Sequence, residues 1–105
     1  MTIYYREKIF KLHDALFLSP LSARQKFQQL ENHFGAAYFA SKGIEESDIR
    51  NRWEQIWQDL NKYEGLSFKN HEISAFVYTV GRMRNKSIEK YLHFILEEFH
   101  RARNM

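Results

Sequence analysis

Ile49, Trp53, Ile56, Trp57 and Leu60 recur at three- and four-residue intervals, the spacing that lines side chains along one face of a helix. Asn51, Gln55, Gln58 and Lys62 fall on the other side. Ser47 or Glu46 opens the segment, acids cluster in its first turn, and Gly65 is placed to end it. Four further segments of the 105-residue chain carry the same periodicity. Such a pattern commits the chain to amphipathic rods that must bury their apolar sides against one another.

The first rod runs from about Thr2, a candidate N-cap, to Leu18, with Tyr5, Ile9, Leu12 and Leu16 on one face. Ser19-Pro20 ends it, because the residue before proline is pushed out of the α region. Pro20 at a first helical position, or Ser22 with Gln25 as a capping box, opens the second. That rod buries Phe27, Leu30, Phe34 and Tyr38 and closes at Ser41-Lys42-Gly43, with Gly35 as a candidate break. A fourth, from about Asn70 to Arg82, buries Ile73, Phe76, Val77 and Val80. Its Phe76–Val80 stretch is also rich in strand formers. A fifth, from about Lys86 to Ala102, is capped by Asn85 or Ser87 and carries Ile88, Tyr91, Leu92, Ile95, Leu96 and Phe99. The expectation is an all-α, compact bundle of about five helices with short connections, formed by residues 1–105 as one domain.

Size and composition agree with that reading. A chain of this mass folds to a surface of roughly 6,300 Å² and buries about two-thirds of what it exposes unfolded, enough for a core without staples. There is no cysteine, so disulfides, thiolate metal sites and cysteine nucleophiles are excluded. The charged start at Arg6, Glu7 and Lys8 is unlike a signal peptide, and purely apolar runs such as Ala15–Leu18 are far too short to span a bilayer. A cytoplasmic location and no membrane partner are expected.

Catalytic motifs fail one by one. There is no Gly-rich phosphate loop and no Gly-x-Ser-x-Gly elbow. His71-Glu72 starts like a zinc-protease helix, but Ala75 stands where the second ligand belongs. His93, Glu97 and His100 have ligand-like spacing on the fifth rod, yet the wheel turns His93 and Glu97 toward solvent, and a di-iron site needs a second Glu-x-x-His pair that the chain lacks. No enzyme, metal site or cofactor is expected.

Two surface features remain. The net charge is only +3, but residues 66–105 hold seven bases and four acids, and Arg82, Arg84, Lys86 and Lys90 crowd into nine residues. The stretch from residue 70 to 103 loosely resembles a helix-turn-helix, with Gly81 in the turn and Lys86, Ser87 and Lys90 at the start of the second helix. That layout implies phosphate contacts and nucleic acid as one candidate partner.

The second feature is a surplus of rings: nine Phe, six Tyr and two Trp. Ile3, Phe10 and Phe17 recur at seven-residue intervals and form a second apolar row on the first rod, turned away from the first. Tyr78 and Phe94 also fall outside the buried stripes, near Arg82, Arg84, Lys90 and Arg101. Aromatic residues beside arginines suit the centre of a protein interface. The leading expectation is therefore a non-enzymatic regulatory module that binds another protein, a second copy of itself included. Ile3, Phe10, Phe17, Tyr78, Phe94 and Arg101 are its candidate contacts, and nucleic-acid binding through Arg82, Arg84, Lys86, Ser87 and Lys90 is the alternative.

Overall fold

The structure is a computed structural model, and it describes residues 2–18, 21–68 and 71–104. It is a compact all-α bundle: α1 (Ile3–Phe17), α2 (Ala23–Gln29), α3 (Glu31–Ser41), α4 (Ser47–Leu60), α5 (Ala75–Arg82) and α6 (Asn85–Arg103). One short antiparallel hairpin interrupts it, with β1 (Leu66–Phe68) and β2 (His71–Ile73) in the register Leu66–Ile73, Ser67–Glu72 and Phe68–His71. Among the described residues, no helix is long and apolar enough to cross a membrane.

Local chemistry sets the helix starts. Thr2 caps α1 by accepting from the Tyr5 N–H at 3.1 Å, as expected. Ser22 and Gln25 form a reciprocal capping box on α2, and Ser74 caps α5 through the Val77 N–H. Each cap satisfies backbone donors that the first helical turn leaves open. The expected stop at Ser19-Pro20, the alternative start at Pro20 and the expected start at Asn70 lie outside the described residues.

Three local expectations are corrected. The second rod is two helices, and it breaks at Leu30 rather than at Gly35. The Leu30 N–H reaches the Phe27 carbonyl in a tighter turn, and the chain changes direction there. The cause is tertiary. α2 lies on α5, where Arg24 donates to the Val80 carbonyl at 2.7 Å and Gln28 to that of Val77. α3 instead packs against α1 and α4. Gly35 stays inside α3 and leaves room for the Trp57 ring, which stacks on Tyr38.

The second correction concerns residues 71–73, expected in a helix and found in β2, so that α5 begins only at Ala75. Gly65 sits beside this junction, and a Cβ there would lie 2.3 Å from the Ile73 carbonyl oxygen. The close approach of backbone to backbone requires glycine. The strand-forming Phe76–Val80 stretch is nonetheless helical. Phe76 and Val80 enter the core, and buried Thr79 accepts from the Tyr63 N–H at 2.9 Å.

The third correction is the rotation of α6. Its buried face is Ile88, Tyr91, Phe94, Ile95, Glu98 and Ala102, whereas Leu92, Leu96 and Phe99 are only half-buried. Phe94, expected outside, is 4% exposed and meets Trp53 edge-on at 5.3 Å.

α1 and α6 pack antiparallel: Tyr5 near the start of α1 meets Glu98 near the end of α6, and Phe17 at the other end of α1 lies beside Glu89 and Leu92. Between the pair and α4 runs a buried polar chain. Trp53 Nε1 donates to the Tyr5 hydroxyl at 2.7 Å, which donates to Glu98 Oε1 at 2.7 Å. Arg101 reaches Glu98 Oε2 at 3.3 Å and Glu46 at 3.6 Å. Glu98 is only 3% exposed, and burial pushes its carboxyl above the usual carboxylate range, opposed by the Tyr5 and Arg101 donors.

Candidate functional site

Two surfaces collect the residues singled out from the sequence, and both are built on α6. The first is the outer seam between α1 and α6. Four rings cross it in a ladder: Phe17 lies 4.8 Å from His13, His13 stacks on Phe99 at 3.6 Å and 5°, and Phe99 meets Phe10 edge-on at 5.4 Å. The Arg6 guanidinium covers the end of the ladder, 5.2 Å from the Phe10 centroid. Leu92, Leu96 and Phe17 line a shallow apolar cavity of about 210 Å³ at the other end.

This seam is not the core. Tyr5, Ile9, Leu12 and Leu16 already bury the inner face of α1 completely. Phe10 and Phe99 remain half-buried, and Phe17 and Ile3 are 43% and 85% exposed. The row of Ile3, Phe10 and Phe17 therefore lies along the outside, joined by residues of α6 that the sequence pattern assigned to the core.

The second surface forms where α4, α5 and α6 meet. Lys62, Tyr63, Arg82, Arg84 and Ser87 line a cavity of about 380 Å³. A second cavity, of about 240 Å³, holds Arg52 and Lys90. The two share Asp59 and Tyr91, whose hydroxyl donates to Asp59 Oδ2 at 2.6 Å. That bond and partial burial push the Tyr91 hydroxyl well above its usual range, with burial the larger cause. Arg82 lies over both Tyr63 and Tyr78, at 5.3 and 5.5 Å, and its guanidinium donates to the Tyr78 hydroxyl.

The expected grouping of Tyr78, Phe94 and Arg101 does not assemble. Tyr78 sits with Tyr63 and Arg82, Phe94 is in the core, and Arg101 holds Glu98 and Glu46 at the far end of α6. Arg82, Arg84, Ser87 and Lys90 do come together around the two neighbouring cavities, while Lys86 is exposed on the first turn of α6 and lines neither. The connection from α5 to α6 is only Met83 and Arg84, because Gly81 lies inside α5.

Arg52, Asp59, Lys62 and Tyr63 escaped sequence reasoning. They belong to or follow α4, some 20 to 30 positions before the basic run, and only the crossing of α4 over α6 brings them to it. The histidines do not converge on a relay: His33, His71, His93 and His100 are exposed, and His13 is held between Asp14 and the Phe99 ring. Among the described residues, no three His, Cys, Asp or Glu side chains gather in a metal-holding group. Compared with protein-family models, with curated proteins and with solved structures, the chain matches none of them at a significant level.

Proposed function

We propose that this chain is a non-enzymatic interaction module, and that the outer α1/α6 seam is its contact face. The observation that carries the reading is the half-exposed ladder of Phe17, His13, Phe99 and Phe10, continued by Leu92 and Leu96. Both helices complete a separate core stripe on their inner sides; Phe10, Leu92 and Phe99 pack against that core from outside and keep part of their surface open. Contiguous apolar surface of this kind marks contact sites more often than isolated exposed side chains do.

The occupant that fits best is a second copy of the chain. An antiparallel helix pair is its own complement under a two-fold rotation, with α1 of one copy against α6 of the other, and the product is a four-helix layer.

Sedimentation equilibrium over a concentration series tests this. The wild type is expected to show a reversible dimer, and Phe17→Glu with Leu96→Glu to remain monomeric with unchanged helical circular dichroism. A wild type that stays strictly monomeric up to about 1 mM, where association would be weaker than roughly −4 kcal/mol, removes the self-association reading.

A further inference from the structure

We infer that the two neighbouring cavities among α4, α5 and α6, which share Asp59 and Tyr91, form a binding surface for single-stranded nucleic acid. The site is independent of the α1/α6 seam. Five cations line it, Lys62, Arg82 and Arg84 in one cavity and Arg52 and Lys90 in the other. None of the five forms an ion pair with an acid among the described residues. Among the described residues Asp59 is the only acid lining either cavity, and one of its oxygens already accepts from Tyr91. Like charges gathered without counter-charges raise the local positive potential, and an anion relieves it.

Aromatic rings interleave with these charges. Tyr63, 41% exposed, stands edge-on to Tyr78 at 6.3 Å, with Arg82 over both rings and Lys62 over Tyr63. Cations that follow a backbone and rings that accept bases are the two components of single-strand recognition. Asp59 and Tyr91 line both cavities, so the charges are spread over two neighbouring hollows rather than gathered at one point.

Duplex DNA fits less well. A recognition helix presents its contact residues together to a major groove, whereas here Arg82, Arg84, Ser87 and Lys90 line hollows between helices and Lys86 lies outside both. Ser87 faces the larger cavity at the start of α6, where no side chain caps the helix. Its hydroxyl adds a hydrogen-bond donor to the cationic wall.

Fluorescence anisotropy with labelled oligothymidylate and oligouridylate of about 20 nucleotides, spanning more than one OB-sized site, tests the inference. Binding is expected at low salt, with log affinity falling against log salt at a slope of about −3 to −4 for five phosphate contacts. Lys62→Ala with Arg84→Ala should make that slope shallower by about 1.4, and Tyr63→Ala should weaken binding about tenfold. Lys8→Ala with Lys42→Ala, cations outside the groove, should change neither. No binding at low salt overturns the proposal. So does equal loss in the Lys8/Lys42 control, which reveals diffuse attraction only. A duplex of the same length, or a phosphorylated peptide, bound more tightly with the same dependence on Lys62 and Arg84 also overturns the single-strand assignment.

Discussion

The molecule contains one kind of bond in two settings. The Tyr5 hydroxyl donates to Glu98 at 2.7 Å inside the core, and the Tyr91 hydroxyl donates to Asp59 at 2.6 Å on the wall of the groove. The geometry is nearly the same; the surroundings are not. Glu98 is enclosed between α1, α4 and α6, while Asp59 is exposed to water. A carboxylate in water loses little when a partner is removed, because solvent replaces it. A buried one has no substitute and carries the full cost of desolvation. Equal bond lengths therefore do not imply equal contributions to stability.

The sharpest way to separate the two is to delete each hydroxyl. Tyr5→Phe removes the acceptor of Trp53 Nε1 and a donor to Glu98 together. Among the described residues, the buried Trp53 Nε1–H is left without a partner and Glu98 keeps only Arg101, on its other oxygen, and urea unfolding should show a loss of about 2 to 3 kcal/mol. A loss below about 1 kcal/mol, the worth of one ordinary hydrogen bond, would mean that water reaches the Tyr5 site and that the core setting is not special.

Glu98→Gln tests the charge rather than the bond. Burial raises the Glu98 carboxyl, so the folded state holds its proton more tightly than the unfolded chain does. The stability linked to this proton is complete below the ordinary carboxyl value of about 4.3 and is lost as pH rises through the elevated one. Glutamine keeps an oxygen for Tyr5 and never ionises. The variant should be more stable than wild type by about 1 kcal/mol at neutral pH, and the gap should close as pH falls toward 4.3. A gap that is constant with pH would show that Glu98 is not desolvated in solution.

Tyr91→Phe is the smallest change. It frees one oxygen of a water-exposed carboxylate and should cost about 1 kcal/mol or less. It also leaves Asp59 without the Tyr91 donor in the groove, so any oligonucleotide affinity should fall in this variant, with the melting temperature lowered by about 5 °C at most. If its stability loss equals that of Tyr5→Phe, the contrast between the two settings is wrong.

The same contrast explains where sequence reasoning succeeded. The stripes of α1 and α4 are apolar at nearly every inward position, and Tyr5, Ile9, Leu12, Leu16, Ile49, Trp53, Ile56 and Leu60 are buried as their spacing required. The α6 stripe was misplaced because its true inward row, Ile88, Tyr91, Ile95, Glu98 and Ala102, includes a glutamate. Its alternating three- and four-residue steps are regular, and Ile88, Tyr91 and Ile95 are buried as expected, but a pattern of apolar residues passes over a glutamate. Leu92, Leu96 and Phe99 then pulled the expected face around the helix and left Phe94 outside. The hairpin was missed for a different reason: two three-residue strands carry too few positions to show a period.

The candidate surfaces divide in the same way. The seven-residue row of Ile3, Phe10 and Phe17 and the basic run from Arg82 to Lys90 were visible as local patterns. Their completion by Leu92, Leu96 and Phe99 on one side, and by Arg52, Lys62 and Tyr63 on the other, was not.

Periodicity and caps were sufficient to establish a helical bundle and the starts of α1, α2 and α4, because backbone hydrogen bonding and one-sided burial act within a few residues of each position; the caps expected for α6 at Asn85 or Ser87 are not used, since Arg84 precedes that helix without a side-chain cap. The break at Leu30, the rotation of α6, the enclosure of Glu98 and the meeting of α4 with the basic run arise from contacts between positions far apart in the chain. Each was settled by which face found a partner once the helices packed, a competition among surfaces that no single segment records.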